Sequence, residues 1–218
     1  MKLILFNGSP RKSWNTEILL KHAMKGATSI GAETELIHLY DLNYKGCRSC
    51  YACKRVGGKS YGSCAIQDDL TPIFKKVEES DALIFGSPIY YGNVTGEMRS
   101  FLERLLFPYS AFDSERSSLF KKKIRTGIIY TMAANERQVK EMGYEQNLHL
   151  MEKFIGKIFG ETESLFVIDT CHFEDYSQYV SNFFNAEDKQ KWRQEEFPKD
   201  CQKAFEMGKK IVQKLMLY

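Results

Sequence analysis

Lys2-Leu3-Ile4-Leu5-Phe6-Asn7-Gly8-Ser9-Pro10 begins as a continuous apolar run and ends in residues that favour a turn. Such a run predicts a β-strand buried on both faces, as the strands of parallel sheets are. Glycine, serine and proline mark the turn that follows. From Asn15 to about Ser29 apolar residues recur at helical spacing, and Asn15 or Ser13 can supply the N-cap. The opening segment therefore predicts a strand, a turn and a helix.

The same alternation continues along the chain. Strands are predicted at residues 33–39, 82–86, 126–131 and 164–169, and helices at about 68–80, 95–107, 139–159 and 199–215. The third strand is expected to stop at Ser87-Pro88, because proline cannot continue a central ladder. Strands separated by helices indicate βαβ units and a parallel sheet.

Short right-handed connections favour one topology for five such strands. The sequence predicts an α/β, flavodoxin-like three-layer sandwich, with a five-stranded parallel sheet of order 2-1-3-4-5 and a helical C-terminal extension. No linker interrupts the pattern, so we expect a single domain over residues 1–218, with a core of about 1–170 and an extension of about 171–218.

Composition excludes several classes of protein. The chain has 218 residues, 43% of them hydrophobic and 27% charged, which is ordinary globular usage and enough to bury a core. A net charge of +3 is too mild to favour nucleic acid or an anionic membrane as a partner. The sequence contains neither an apolar run of membrane-spanning length nor a signal-peptide pattern, so we expect a cytoplasmic protein.

The 7–16 loop joins the first strand to a helix and is rich in hydrogen-bond donors. Ser9, Ser13, Asn15 and Thr16 supply short polar side chains, and Arg11 supplies a guanidinium that can fork onto phosphate. Free N–H groups at a helix N-terminus bind anions. The loop lacks both the Gly-Lys-Ser/Thr of a Walker loop and a GxGxxG pattern, so a single terminal phosphate suits it best. The alternative interpretation is a capped helix with polar surface residues.

The 87–93 loop follows the third strand with the sequence Ser87-Pro88-Ile89-Tyr90-Tyr91-Gly92-Asn93. At the carboxyl end of a parallel sheet this places aromatic rings beside backbone amides. A planar heteroaromatic ligand needs such a surface, since its rings need apolar contact and its ring oxygens and nitrogens need donors. The alternative interpretation is a hydrophobic plug that covers the end of the sheet.

Two motifs together carry a family resemblance: Gly8-Ser9-Pro10-Arg11 with Asn15-Thr16, and the stretch from Ser87 to Arg104. They resemble the NAD(P)H-dependent FMN reductase branch of the flavodoxin-like superfamily, and most of all its iron–sulfur flavoprotein-like members. The match runs in order and spacing from residue 1 to about 170. In the family the helix that contains Met98 and Arg104 packs behind the pocket and often meets a second subunit, which implies a homodimer or homotetramer.

The resemblance also implies a cofactor and the residues that bind it. It implies FMN, with the phosphate at Ser9, Arg11, Ser13, Asn15 and Thr16. It implies that the isoalloxazine ring lies along Pro88, Ile89, Tyr90, Tyr91, Gly92 and Asn93, and that Thr131 and Met132 close over the ring edge.

Four of the six cysteines fall close together, at Cys47, Cys50, Cys53 and Cys64. Four thiolates can bind zinc or an iron–sulfur cluster. The C-x2-C-x2-C spacing resembles a compact [4Fe–4S] motif, but the fourth cysteine comes only after ten intervening residues, whereas it follows closely in cluster-bearing members of the family. The alternatives are a zinc site, a metal-free loop near the flavin, and redox-active thiols. Two isolated cysteines, Cys171 and Cys201, are predicted to be small buried hydrophobes.

Three functions remain open from the sequence. The first is an FMN-dependent NAD(P)H oxidoreductase that passes electrons from a reduced nicotinamide to a quinone, a flavin or a protein acceptor. The second is a flavin electron-transfer protein, with or without a cluster, that has no small-molecule substrate of its own. The third is a binding or regulatory module with a degenerate site, which the two intact loops disfavour. No catalytic side chain is assigned, because the flavin carries the chemistry.

Overall fold

A computed structural model describes residues 1–214, and residues 215–218 lie outside the described part. The strands are β1 (Lys2–Asn7), β2 (Glu33–His38), β3 (Ala82–Tyr90), β4 (Asn93–Val94), β5 (Arg125–Thr131) and β6 (Thr162–Val167). The helices are α1 (Asn15–Thr28), α2 (Leu70–Glu79), α3 (Gly96–Tyr109), α4 (Glu136–Glu141), α5 (Tyr144–Phe159), α6 (Ala186–Glu195) and α7 (Phe197–Gln213).

The main strands form a parallel sheet of order β2-β1-β3-β5-β6, with β4 paired only to β3. This is the predicted order of 2-1-3-4-5 with one short strand added. The central strands are continuous apolar runs because helices cover both of their faces. Leu3, Ile4, Leu5 and Phe6 are fully buried, and their side chains alternate between the two cores.

Two hydrophobic layers flank the sheet, which confirms the predicted three-layer sandwich. One layer packs α2, α3 and α5 against the sheet through residues such as Val77, Phe101 and Ile155. The other packs α1 and α7 against the opposite face through residues such as Leu20 and Met207.

Helix α7 attaches the C-terminal extension to the core by a close backbone contact. A Cβ atom at Gly26 of α1 would overlap the Phe205 carbonyl, and one at Gly208 of α7 would overlap the Ala23 carbonyl. Only glycine lets the two helix backbones approach so closely. The predicted last helix is therefore present as α7, although its expected end at Leu215 lies outside the described residues.

Strand β3 does not stop at Ser87-Pro88 as predicted, and instead runs to Tyr90. Its pairing with β1 ends where Asn7 meets Gly86, whereas its pairing with β5 continues to Pro88 and Thr131. Beyond Gly86, β3 no longer pairs with β1, so that edge of the strand is free. A free edge tolerates proline, and for this reason the strand continues past Pro88.

Other boundaries also differ from the prediction. The single helix expected over 139–159 is divided into α4 and α5 at Gly143, whose φ of +64° is left-handed. Neither Asn15 nor Ser13 caps α1, because Trp14 occupies the N-cap position and Asn15 is the first helical residue. Helix α6 was not predicted. Among the residues that the structure describes, no helix combines the length and apolarity needed to cross a membrane.

Candidate functional site

The carboxyl ends of β1, β3 and β5 lie side by side, and hydrogen bonds connect the segments at this edge. The Gly8 amide donates to the Gly86 carbonyl at 2.8 Å, and the Thr95 hydroxyl donates to the Gly8 carbonyl at 2.7 Å. The 7–16 loop is thus fastened to β3 and to the start of α3. The segments that follow β1, β3 and β5 therefore meet at one edge of the sheet, where open parallel sheets bind their ligands.

The 7–16 loop is shaped by its own short polar side chains. The Asn7 side-chain oxygen accepts from the Ser9 amide at 2.9 Å, and the Ser9 hydroxyl accepts from the Arg11 amide at 3.1 Å. Ser13 has a left-handed φ of +57°, and its amide donates to the Glu17 carboxylate at 2.8 Å. These bonds fix a tight turn ahead of α1, with Ser9 buried and Arg11 exposed.

The N-terminus of α1 has no side-chain cap. Within residues 1–214 the backbone amides of Asn15 and Thr16 donate to no acceptor, although both residues are buried. The first N–H groups of a helix have no partner inside the helix and carry partial positive charge. An anion at this position would satisfy them.

Glu17 is a buried carboxylate in the first turn of α1. Burial raises its pKa, but hydrogen bonds from the Lys21 ammonium and the Ser13 amide outweigh burial and keep the pKa below its ordinary value. The Lys21 Nζ atom lies 2.6 Å from the Glu17 carboxylate. Glu17 therefore stays ionised at neutral pH and holds Ser13 in its turn.

The 87–93 loop forms a hairpin in which β3 turns back into β4. Tyr90 pairs with Asn93, and the two residues between them, Tyr91 and Gly92, have φ values of +52° and +78°. Such left-handed values define the tight turns typical of two-residue hairpins. The Gly92 carbonyl accepts from the Asn147 side chain at 2.9 Å, so α5 supports the turn.

This hairpin presents aromatic surface at the sheet edge. Tyr90 and Tyr91 are exposed, whereas Ile89 packs partly against the core. Pro88 is partly buried in β3. The side chains are available to a flat ligand, and the plug interpretation does not fit Tyr90 and Tyr91, because Tyr90 is 43% exposed and Tyr91 is fully exposed.

Thr131 is the last residue of β5 and Met132 follows it at the same edge, and both residues are buried. The Thr131 and Thr16 hydroxyl oxygens lie 2.8 Å apart, which joins β5 to α1. The Met132 amide donates to the Val167 carbonyl at 2.9 Å. Met132 therefore packs within the core, and the backbone beside it forms part of the site edge.

A family model described as NADPH-dependent FMN reductase matches residues 1–152. The chain belongs to this family. The matched region contains the 7–16 loop, the 87–93 loop and the end of β5, which agrees with the resemblance drawn from the motifs.

Several curated proteins are similar to the chain in sequence. An iron–sulfur flavoprotein of Archaeoglobus fulgidus is 34% identical over 128 residues, which are 59% of this chain and 60% of that protein. The chain spans about half the length of the curated relatives it matches, from 47% to 60% for three iron–sulfur flavoproteins.

Solved structures share the fold at low sequence identity. An NAD(P)H:quinone oxidoreductase from Methanothermobacter marburgensis has a TM-score of 0.69 at 13% identity, over 95% of this chain and 94% of that one. An FMN-dependent NADH-azoreductase of Bacillus anthracis, solved in complex with FMN, has a TM-score of 0.61 at 12% identity, over 99% of both chains. This FMN reductase family member therefore has the flavodoxin-like fold that its sequence predicts.

The C-terminal extension contacts the 7–16 loop of this family member, a feature that the sequence did not reveal. The Arg11 guanidinium donates to the His172 carbonyl at 2.6 Å, and the Asn15 side-chain nitrogen donates to the Cys171 carbonyl at 2.9 Å. Arg193 of α6 donates to the Asn15 side-chain oxygen at 2.6 Å. Burial, followed by the charges of Arg11 and Lys189, lowers the pKa of His172.

The four clustered cysteines line one small cavity beside α3. They are Cys47, Cys50, Cys53 and Cys64. The cavity measures about 20 Å³, which is room for roughly one water molecule. Across residues 1–214, no three cysteine, histidine or acidic side chains converge as metal ligands.

Arg104 occupies the space beside the fourth cysteine. Its guanidinium is almost fully buried and donates from Nε to the Cys64 Sγ atom at 3.0 Å. It also forms a forked pair with Asp68, at 2.9 and 3.2 Å. Cys64 thus faces a cation already paired with a carboxylate. In this arrangement the cysteines do not fit the predicted [4Fe–4S] cluster.

The thiols also differ in exposure and acidity. Cys50 is exposed, and a hydrogen bond from the Ala52 amide, aided by Arg48, lowers its pKa. Burial raises the pKa of Cys53. The two isolated cysteines, Cys171 and Cys201, are buried as predicted.

Proposed function

We propose that this chain is an FMN-dependent NAD(P)H oxidoreductase that passes electrons from a reduced nicotinamide to a quinone, a flavin or a protein acceptor. The observation that carries the proposal is the uncapped N-terminus of α1 lying at the same sheet edge as the exposed tyrosines of the hairpin. One feature suits a phosphate and the other suits a flat ring system. The family description, which names FMN, supports the same ligand.

The phosphate of FMN would be bound at the start of α1. The free amides of Asn15 and Thr16 are the backbone donors, and a doubly charged phosphate matches their partial positive charge. Arg11 adds a full positive charge from the loop. Ser9 and Ser13 shape the loop around this position, as their hydrogen bonds to Arg11 and Glu17 indicate.

The isoalloxazine ring would lie against the hairpin. Tyr90 and Tyr91 offer apolar faces, and Ile89 and Gly92 offer backbone close to the ring. Asn93 pairs with Tyr90 and so faces the same edge. Pro88, Thr131 and Met132 complete the edge from β3 and β5.

When bound, FMN supplies the hydride and electron transfer chemistry. The residues of this chain position the ring, exclude water from its buried side and donate hydrogen bonds. No acid, base or nucleophile is needed, and none is assigned.

Electron transfer between proteins, without a small-molecule substrate, is the second candidate. The names of relatives support it, because several of them are called iron–sulfur flavoprotein, whereas the cysteine cavity of this chain does not fit a cluster as it stands. A cluster in this chain would require Cys64 to leave Arg104. The homodimer or homotetramer and the cytoplasmic location stay predictions from the sequence, as does the single domain.

Binding and turnover test the proposal separately. Purified protein is titrated with FMN, with quenching of flavin fluorescence as the readout. It is then mixed anaerobically with NADPH or NADH and supplied with a quinone. We expect saturable FMN binding, bleaching of the flavin band by the nicotinamide, and multiple turnovers with the quinone.

Two variants test whether the isoalloxazine ring binds at the hairpin. Tyr90→Ala should weaken FMN binding, whereas Tyr61→Ala, which removes an exposed tyrosine in the cysteine segment, should not. Absence of FMN binding would refute the proposal. If the protein binds FMN but oxidises no reduced nicotinamide with any acceptor, the second candidate function, electron transfer between proteins, is favoured.

A further inference from the structure

Arg193 connects the extension to the first turn of α1. Its guanidinium donates to the Asn15 side-chain oxygen at 2.6 Å, across 178 positions of sequence. The same group lies 5.5 Å from the centroid of the Trp14 ring and 4.1 Å from that of Phe197. These contacts hold a partly buried cation at the helix N-terminus.

This cation has no carboxylate partner in the described part of the chain. Neither Arg193 nor Arg11 forms a salt bridge within residues 1–214, whereas the neighbouring Lys189 is paired with Asp169. Partly buried charge without a counter-charge is costly. The partly buried Arg193 beside an uncapped helix N-terminus therefore indicates that an anion is the missing partner, and the exposed Arg11 adds a second positive charge at the same place.

The extension holds both the oxygen and the nitrogen of the Asn15 side-chain amide by hydrogen bonds. Its oxygen accepts from Arg193, and its nitrogen donates to the Cys171 carbonyl at 2.9 Å. The first residue of α1 therefore has one side-chain orientation, set by residues more than 150 positions away. Arg11 is attached to the same segment through the His172 carbonyl.

We propose that Arg193 is a positioning residue for the phosphate of the bound flavin. It orients Asn15 and adds positive charge where the phosphate would lie, so the extension sets the preference for a phosphorylated flavin over riboflavin. This inference rests on the proposed function and adds a residue that lies outside the region matched by the family model.

The test compares FMN with riboflavin, which lacks the phosphate. Dissociation constants for both are measured by fluorescence quenching in the wild type, Arg193→Ala and Arg193→Lys. Lys191→Ala, on the exposed side of α6, is the matched control. We expect Arg193→Ala to weaken FMN binding about 10- to 100-fold, the loss of one charge-assisted hydrogen bond. Riboflavin affinity should stay unchanged, and Arg193→Lys should recover part of the loss.

A double-mutant cycle tests whether Arg193 acts through Asn15. In the Asn15→Ala background, Arg193→Ala should have a clearly smaller effect on FMN affinity than in the wild type. Equal losses for FMN and riboflavin would show a merely structural role and overturn the inference, as would unchanged FMN affinity. If the wild type itself binds no FMN, the proposed function fails as well, so the two failures are distinguishable.

Discussion

The hydroxyl oxygens of Thr16 and Thr131 lie 2.8 Å apart, although the residues are separated by 115 positions. Both side chains are buried, so each hydroxyl depends on the other for a partner. This bond joins the first turn of α1 to the end of β5. It thereby fixes the helix N-terminus relative to the sheet edge.

Thr16→Val should lower the free energy of unfolding by about 1 to 3 kcal/mol, because the valine leaves the Thr131 hydroxyl buried without a partner. Thr131→Val should behave alike. Chemical denaturation measures the effect. The double variant, which removes both hydroxyls, should lose less than the sum of the single losses, and a strictly additive double loss would contradict this pairing.

Arg11→Ala should weaken FMN binding about tenfold, because it removes a positive charge beside the phosphate position. The loss should shrink as salt concentration rises, since the group is exposed. The amount of FMN that the protein retains after dialysis at low and at high salt measures this loss of binding. Lys12→Ala is the control, because Lys12 is paired with Asp41 at 2.7 Å. Unchanged retention would mean that Arg11 serves only the contact with His172.

The ionisation of Glu17 should make the free energy of unfolding depend on pH. Its pKa in the folded protein lies below the ordinary value of 4.5, so its contribution is complete above that pH and is lost as pH falls through the lower value. Glu17→Gln should therefore be about 1 kcal/mol less stable than wild type near neutral pH. Urea unfolding of both proteins at several pH values should show this difference shrinking in acid. A difference that grows in acid would contradict the assignment.

The sheet could be predicted from the sequence because its central strands are buried on both faces. A continuous apolar run such as Leu3 to Phe6 has few alternatives to a parallel strand. The predicted end of β3 was wrong for a tertiary reason. Proline can occupy position 88 because the pairing of β3 with β1 has already ended at Gly86. The break at Gly143 was hidden because apolar residues continue at helical spacing on both sides of it.

The motifs of the candidate site were visible because they follow strands directly, whereas its supports are distant in sequence. Arg193 reaches Asn15, and Arg104 reaches Cys64 across 40 positions. No local pattern indicates such contacts. A surface arginine and a buried one look the same in a sequence, and only the fold distinguishes them.

Thiol reactivity should follow the exposure and acidity of the cysteines. Cys50 should react with iodoacetamide at least about tenfold faster than Cys53, because it is exposed and its pKa is lowered by the Ala52 amide. Mass spectrometry of peptides from briefly alkylated native protein measures the order. The internal controls are Cys171 and Cys201, whose pKa values are raised by burial and which should stay unmodified. Equal labelling of Cys50 and Cys53 would contradict the described loop.

Iron content tests the arrangement around Arg104. Because the Cys64 Sγ atom already accepts from a guanidinium that is paired with Asp68, we expect protein purified without oxygen to contain little iron. Iron and sulfide assays measure this, with absorbance beyond the flavin bands as a second readout. Arg104→Met removes the guanidinium but retains much of its volume, and it should destabilise the fold by leaving Asp68 without its partner. A full [4Fe–4S] complement in the wild type, lost in Cys64→Ser, would show that Cys64 leaves Arg104 to ligate a cluster, and the cavity would then have to expand around it.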